Sequence, residues 1–223
     1  MKEESSISIG EKITNFIQKN RKGIFITTGI IIFLFAGFIT FIGLQDVFRK
    51  KAIIEVEELD SRFSDVQFYL QDDNYRVEIN TLLSDAAEFA KKTSGYAGSK
   101  AWTIAAQIYS GREEWKQAED AWISASKKGA KTYLGPISLF NAAVAAEEQG
   151  KYELAIEYLE SCVAHQFEFP AAPRAQFSIG RLYEQLNNNA AAVEAYRAIL
   201  INWQDIPIWQ HLARSRITAI EVK

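Results

Sequence analysis

One alanine sets the frame for this chain. Ala118, Ala155 and Ala192 stand in GREEWKQAEDAW, QGKYELAIEYL and LNNNAAAVEAY, 37 residues apart at each step. A period of about 20 to 50 residues marks a stack of like supersecondary units. None of them can bury its apolar face alone, so they must pack on one another. If the alanine is position 20, the units begin at Ser99, Pro136 and Pro173. Position 4 then holds Trp102, Leu139 and Gln176, and position 7 holds Ala105, Ala142 and Ile179. Position 8 holds Ala106, Ala143 and Gly180, and position 11 holds Tyr109, Ala146 and Tyr183. Position 24 holds Trp122, Leu159 and Tyr196, and position 27 holds Ala125, Cys162 and Ile199.

Large residues at 4, 11 and 24 with small ones at 8 and 20 describe two antiparallel helices in close approach. Position 8 lies where the first helix meets the second, and the aromatics fill the gaps between units. The turns within the units, Tyr109-Ser-Gly-Arg, Gln149-Gly-Lys and Leu186-Asn-Asn-Asn, carry the Gly and Asn that end helices. Pro136, Pro170 and Pro173 fall at or just before first-helix starts, where a missing amide donor costs little. This pattern resembles the tetratricopeptide repeat over residues 99–206. It departs in Gln176 at position 4, Ala146 at position 11 and the lack of a proline at position 32.

The flanks read as helices too. Pro207-Ile208-Trp209 opens a capping helix through Ile220, with Leu212, Ala213, Ile217 and Ile220 inward and Arg214, Arg216 and Glu221 outward. Asn80–Lys92 reads as the second helix of a degenerate unit, with Leu82, Leu83, Ala86, Ala87, Phe89 and Ala90 packing inward. Before it, Ile53, Val56, Leu59, Phe63, Val66 and Leu70 recur at intervals of three and four, an amphipathic helix over 46–71 closed by the turn Gln71-Asp-Asp-Asn.

Gly23–Leu44 is 22 uncharged residues. At about 1.5 Å per residue it is long enough for a hydrocarbon core of about 30 Å. It exceeds the apolar core of a cleaved signal peptide, and Gln45-Asp46-Val47-Phe48 offers no small-residue cleavage site. The reading is an uncleaved signal anchor. Lys19, Arg21 and Lys22 on one side nearly balance Arg49, Lys50 and Lys51 on the other. The short tail is therefore expected inside and the long carboxy-terminal part outside. The span has no GxxxG pattern to support helix pairing in the bilayer.

The expected architecture is all-α: a transmembrane helix followed by a solenoid of helical hairpins with a capping helix. Its segments are a basic tail (1–22), the span (23–44), a membrane-proximal helix with a degenerate repeat helix (45–97), three repeats (98–205) and the cap (206–223).

Charge and chemistry narrow the function. The first 51 residues hold eight Lys/Arg and four Asp/Glu, a balance of +4, which leaves 17 against 24, or −7, for the rest. An acidic domain is a poor match for nucleic acid. Cys162 is the only cysteine, read as a buried apolar residue, and neither a disulfide nor a Cys/His zinc site is expected. His165 and His211 lie far apart in sequence, in turn or capping regions, and read as solvated. Glu113-Glu114 and Glu147-Glu148 read as solubilising charge, and no phosphate-loop, dinucleotide or nucleophile-elbow motif occurs. The expectation is a protein-binding chain with no cofactor, metal or small-molecule substrate, and no enzyme.

In tetratricopeptide domains, positions 2, 5, 9 and 12 of the first helices line a concave groove. That resemblance implies a groove of Lys100, Thr103, Gln107 and Ser110 in the first unit, Ile137, Phe140, Val144 and Glu147 with Asn141 in the second, and Arg174, Phe177, Arg181 and Glu184 in the third. The family's two-carboxylate clamp would need basic residues where Thr103 and Ser178 stand, so that ligand is excluded. Ile137, Phe140, Val144 and Phe177 form an apolar strip flanked by Lys100, Arg174 and Arg181, suited to a peptide with apolar anchors and acidic character. The whole layout looks like the bacterial family that includes the ancillary subunit of the Sec translocon. That resemblance implies a periplasmic domain assisting exported proteins. A scaffold of another envelope complex and a cytoplasm-facing adaptor are the alternative readings.

Overall fold

The computed structural model describes residues 9–164 and 169–222. Among the described residues there are nine α-helices, in chain order α1 (Ile9–Val66), α2 (Arg76–Lys92), α3 (Gly95–Gly111), α4 (Trp115–Lys128), α5 (Leu134–Glu148), α6 (Tyr152–Ala164), α7 (Ala172–Gln185), α8 (Asn189–Asn202) and α9 (Pro207–Glu221). The chain divides into two compact units, Met1–Lys51 and Ala52–Lys223, with the division inside α1.

In the first unit α1 is apolar on every face between Phe25 and Leu44. Phe25 is 77% exposed and Phe33 78%, and the most apolar window of the helix buries nothing. Such a surface is stable in lipid only if its polar groups are satisfied within the segment. The hydroxyls of Thr27 and Thr40 meet that condition, donating to the carbonyls of Gly23 and Ala36 at 2.9 Å.

In the second unit the apolar residues turn inward. From α2 to α9 each helix packs on the next, and α3 also touches α5, as α7 touches α9. Three helical hairpins, α3–α4, α5–α6 and α7–α8, match the 37-residue units, and α9 closes the stack.

The chain before residue 95 supplies a fourth hairpin. Leu59, Phe63 and Val66 of α1 form one buried cluster with Ile79, Leu82 and Ala86 of α2 and with Ile104 and Ile108 of α3. The two amphipathic stripes that sequence reading took one at a time thus face each other. Arg62 donates to Asp85 across the hairpin at 2.8 Å. Helix α2 starts at Arg76, four residues before the expected Asn80, after a 3₁₀ turn (Asp73–Tyr75) that the Asp72 side chain caps at the Asn74 amide.

The small positions behave as the repeat requires. A Cβ on Gly180 would stand 2.5 Å from Tyr196 Cε1, so in the third unit position 8 holds glycine beneath the buried Tyr196 ring, where the first two units hold alanine. The three inner turns share one geometry. Position 15 (Glu113, Gly150, Asn187) is left-handed at φ 59°, 73° and 56°. The next amide donates to the position-11 carbonyl at 2.9, 3.0 and 2.8 Å, closing a Schellman motif.

The first of these turns departs from expectation. Glu113, not Gly111, adopts the left-handed conformation. Gly111 serves a close approach instead, since a Cβ there would lie 2.3 Å from Leu70 Cδ1.

The cap also differs from its sequence reading. Arg216 and Glu221 were read as outward-facing, yet Arg216 donates to Glu184 of α7 through Nε at 3.1 Å and also through Nη2, and Arg197 of α8 donates to Glu221 at 3.2 Å. Both charges fasten α9 to the last hairpin.

Candidate partner-binding groove

The groove residues stand on α3, α5 and α7, the first helices of the three hairpins. On α3, Lys100 is already engaged by α1: its ammonium lies 2.9 Å from Asp60 and 3.2 Å from Glu57. Burial acts to lower its pKa, but the hydrogen bonds it donates to Asp60 and Glu57 outweigh this and raise it above the ordinary lysine value. Thr103 donates back to the Ser99 carbonyl at 3.1 Å, and Gln107 is exposed.

On α5, Asn141 donates to the Ile137 carbonyl at 3.0 Å. Ile137 and Phe140 are half-buried against the core shared by the second and third hairpins. Val144 remains 39% exposed. The Phe140 ring stands 6.2 Å from that of Phe169 at a tilt, and the Arg174 guanidinium sits 5.0 Å from its centroid. That cation–π contact is worth about 0.5–1 kcal/mol at an exposed site.

The third hairpin draws two of the expected residues away. Phe177 packs at 5.1 Å from Tyr196 and 5.7 Å from Trp209, within the cluster that seats the capping helix. Arg181 is clamped bidentately by Glu147 at 2.5 and 2.6 Å, a bond that raises the arginine pKa further. The structure therefore brings together Ile137, Phe140, Val144, Asn141 and Arg174. It commits Lys100, Phe177 and Arg181 to holding the solenoid.

Sequence reading missed three partners: Phe169, and the acidic pair Glu57 and Asp60. Phe169 precedes Pro170 and opens the third hairpin, and that Phe-Pro step was its only local sign. Glu57 and Asp60 lie on the polar side of the α1 stripe, and their pairing with Lys100 depends on how α1 stacks. For Arg181 a signal was present: Glu147 is at position 12 and Arg181 at position 9 of the next unit, a register in which adjacent first helices meet.

Outside the groove, Cys162 is buried, and its thiol, 3.3 Å from the Pro136 carbonyl, is pushed up to about 12 by burial. It closes the hairpin end as Ser99 does in the first unit, where the hydroxyl donates to Ala125 at 2.8 Å. His211 is exposed on α9, and His165 lies outside the described residues.

Comparison with known proteins finds the same repeat. The family model described as "Tetratricopeptide repeat" matches residues 105–166 and 155–206. A "TPR repeat-containing protein" of Treponema pallidum (strain Nichols) is 35% identical over 130 residues, 57% of this chain and 53% of that protein. The chain thus spans about half the length of the relative it matches.

Proposed function

We propose that this chain of tetratricopeptide repeats, a protein-interaction module by its repeat class, is an adaptor tethered by α1 to a bacterial inner membrane. Its short basic tail lies in the cytoplasm, and its acidic repeat domain stands in the periplasm and holds segments of exported proteins near the translocon. The observation that carries the reading is the open strip on α5. Val144 and the edge of Phe140 stay accessible beside Arg174, while every other apolar side chain of the expected groove is packed. With Lys100 and Arg181 neutralised, the bound segment offers one apolar anchor and a single carboxylate toward Arg174. Supporting the tether are the exposed apolar surface of α1 and its threonines bonded back to their own helix. The repeat-containing relative of Treponema pallidum supports the bacterial part of the reading.

The test is in-cell photocrosslinking from Val144 and Gln107, exposed sites that tolerate a probe. Translocon subunits or nascent exported chains are the expected products. One stable envelope complex would replace this reading with a scaffold, and purely cytoplasmic products would overturn the topology. Val144→Glu should abolish the crosslinks from Gln107 while the helical circular dichroism stays unchanged.

A further inference from the structure

We infer that the face of the third hairpin opposite the groove is a second docking site, for a partner-protein segment that inserts an aromatic and an aliphatic side chain and presents a lysine or arginine. The reasoning compares equivalent positions in adjacent units. At the junction of the first and second hairpins, Tyr158 projects from α6, and Leu154, one turn before it, packs against the neighbouring cluster that holds Ala143 and Ala146 of α5. Tyr158 packs against Ala118, Ala121 and Trp122, and its hydroxyl donates to Glu119 at 3.1 Å. Thirty-seven residues on, the same places on α8 hold Ala191 and Ala195. The backbone repeats, but two large side chains are missing.

What remains is an open groove of about 490 Å³ between α6, α7 and α8. Val163, Ile179, Tyr183, Ala191 and Ala195 form its walls, with Glu160 and Glu194 on the rim. One water takes about 30 Å³, so the space holds a side chain the size of the one it lacks. Nothing basic lines it. Glu160 forms no ion pair among the described residues, and Glu194 pairs with Arg197 at 2.9 Å in a solvent-screened contact. The preceding unit shows which side chains these two positions carry: a leucine and an aromatic, four residues apart. The two rim carboxylates set the charge of what carries them. This site is independent of the α5 strip, because it lies on the other side of α7 and uses none of the same residues.

The probe is a synthetic peptide of residues 151–161 carrying Glu153→Lys, Glu157→Lys and Glu160→Lys, which keeps the Leu154–Tyr158 pair and reverses its charge. It is titrated into the full chain in detergent micelles and followed by methyl NMR. Saturable shifts are expected at Ala191, Ala195, Val163 and Ile179. Affinity should fall at least about tenfold in the double variant Ala191→Leu/Ala195→Tyr, which fills the groove as the first junction does. That variant should melt no lower than the parent. Glu160→Lys, a surface change that leaves packing intact, should weaken binding about threefold or more. The unmodified acidic peptide should bind more weakly than the lysine peptide, and Val144→Glu should change nothing. The inference is overturned by an absence of shifts, by shifts on α5 instead, by affinity that survives both groove variants, or by concentration-dependent shifts without peptide, which would make the occupant a second copy.

Discussion

The first and second repeat junctions share one backbone register but place their locks on opposite faces. Between the first and second hairpins, the groove side is neutral, with Ser110 at position 12 and Val144 at the facing position 9. The opposite side is closed by a buried carboxylate: Glu119 accepts from Gln149 and Lys151 at 2.9 Å and from Tyr158 at 3.1 Å. Between the second and third hairpins the order reverses. Glu147 and Arg181 close the groove side, and the opposite side is apolar and open around Ala195. Each junction is thus held on one face and left free on the other. A repeat stack needs only one lock per junction for register, which leaves the second face to be shaped for contact.

Breaking the buried lock should have the largest effect. Glu119 is 5% exposed, so Glu119→Ala removes a buried acceptor shared by three donors and should cost about 2–4 kcal/mol in denaturant unfolding. The same lock responds to acid. Burial acts to raise the Glu119 pKa, but hydrogen bonds from Lys151, Gln149 and Tyr158 outweigh it and leave the group below its ordinary 4.5. Its contribution is therefore complete above that value and is lost as pH falls through the lower folded pKa. Unfolding curves of the parent and Glu119→Gln should converge as the pH is taken from 6 to about 3. A constant gap would show that the carboxylate charge is irrelevant.

Gly180→Ala is next. It asks whether packing within a unit outweighs the locks between units. Its Cβ must displace the buried Tyr196 ring, at about 1–3 kcal/mol. Equal melting temperatures would mean that the ring moves freely.

The lock on the groove side is half-exposed, with Arg181 at 42% and Glu147 at 25%. Arg181→Ala should cost about 1 kcal/mol, well below Glu119→Ala, and a double-mutant cycle with Glu147→Ala isolates the coupling. A loss matching that of Glu119→Ala would erase the contrast between the junctions.

The smallest change runs the other way. Glu113→Gly relieves a left-handed residue that its counterpart Gly150 carries without strain, and should stabilise by about 1 kcal/mol.

The hairpins, their order and the small residues at position 8 were legible in the sequence. So were the left-handed Gly150 and Asn187, because helix periodicity and turn chemistry are carried by residues within a few turns of one another. Gly111 misled because glycine answers two needs, a left-handed backbone and a close approach, and only the position of Leu70 shows which one applies. The candidate groove was legible as a set of positions but not as a set of available groups. Whether Lys100, Phe177 or Arg181 can meet a partner depends on Glu57, Trp209 and Glu147, residues 32 to 43 positions away that packing brings within contact. By itself the sequence determined a long apolar helix and a stack of helical hairpins, since both follow from local pattern. Only the tertiary structure decided which charges are spent and which faces stay open, because ion pairing and burial are settled by what each helix meets across the stack.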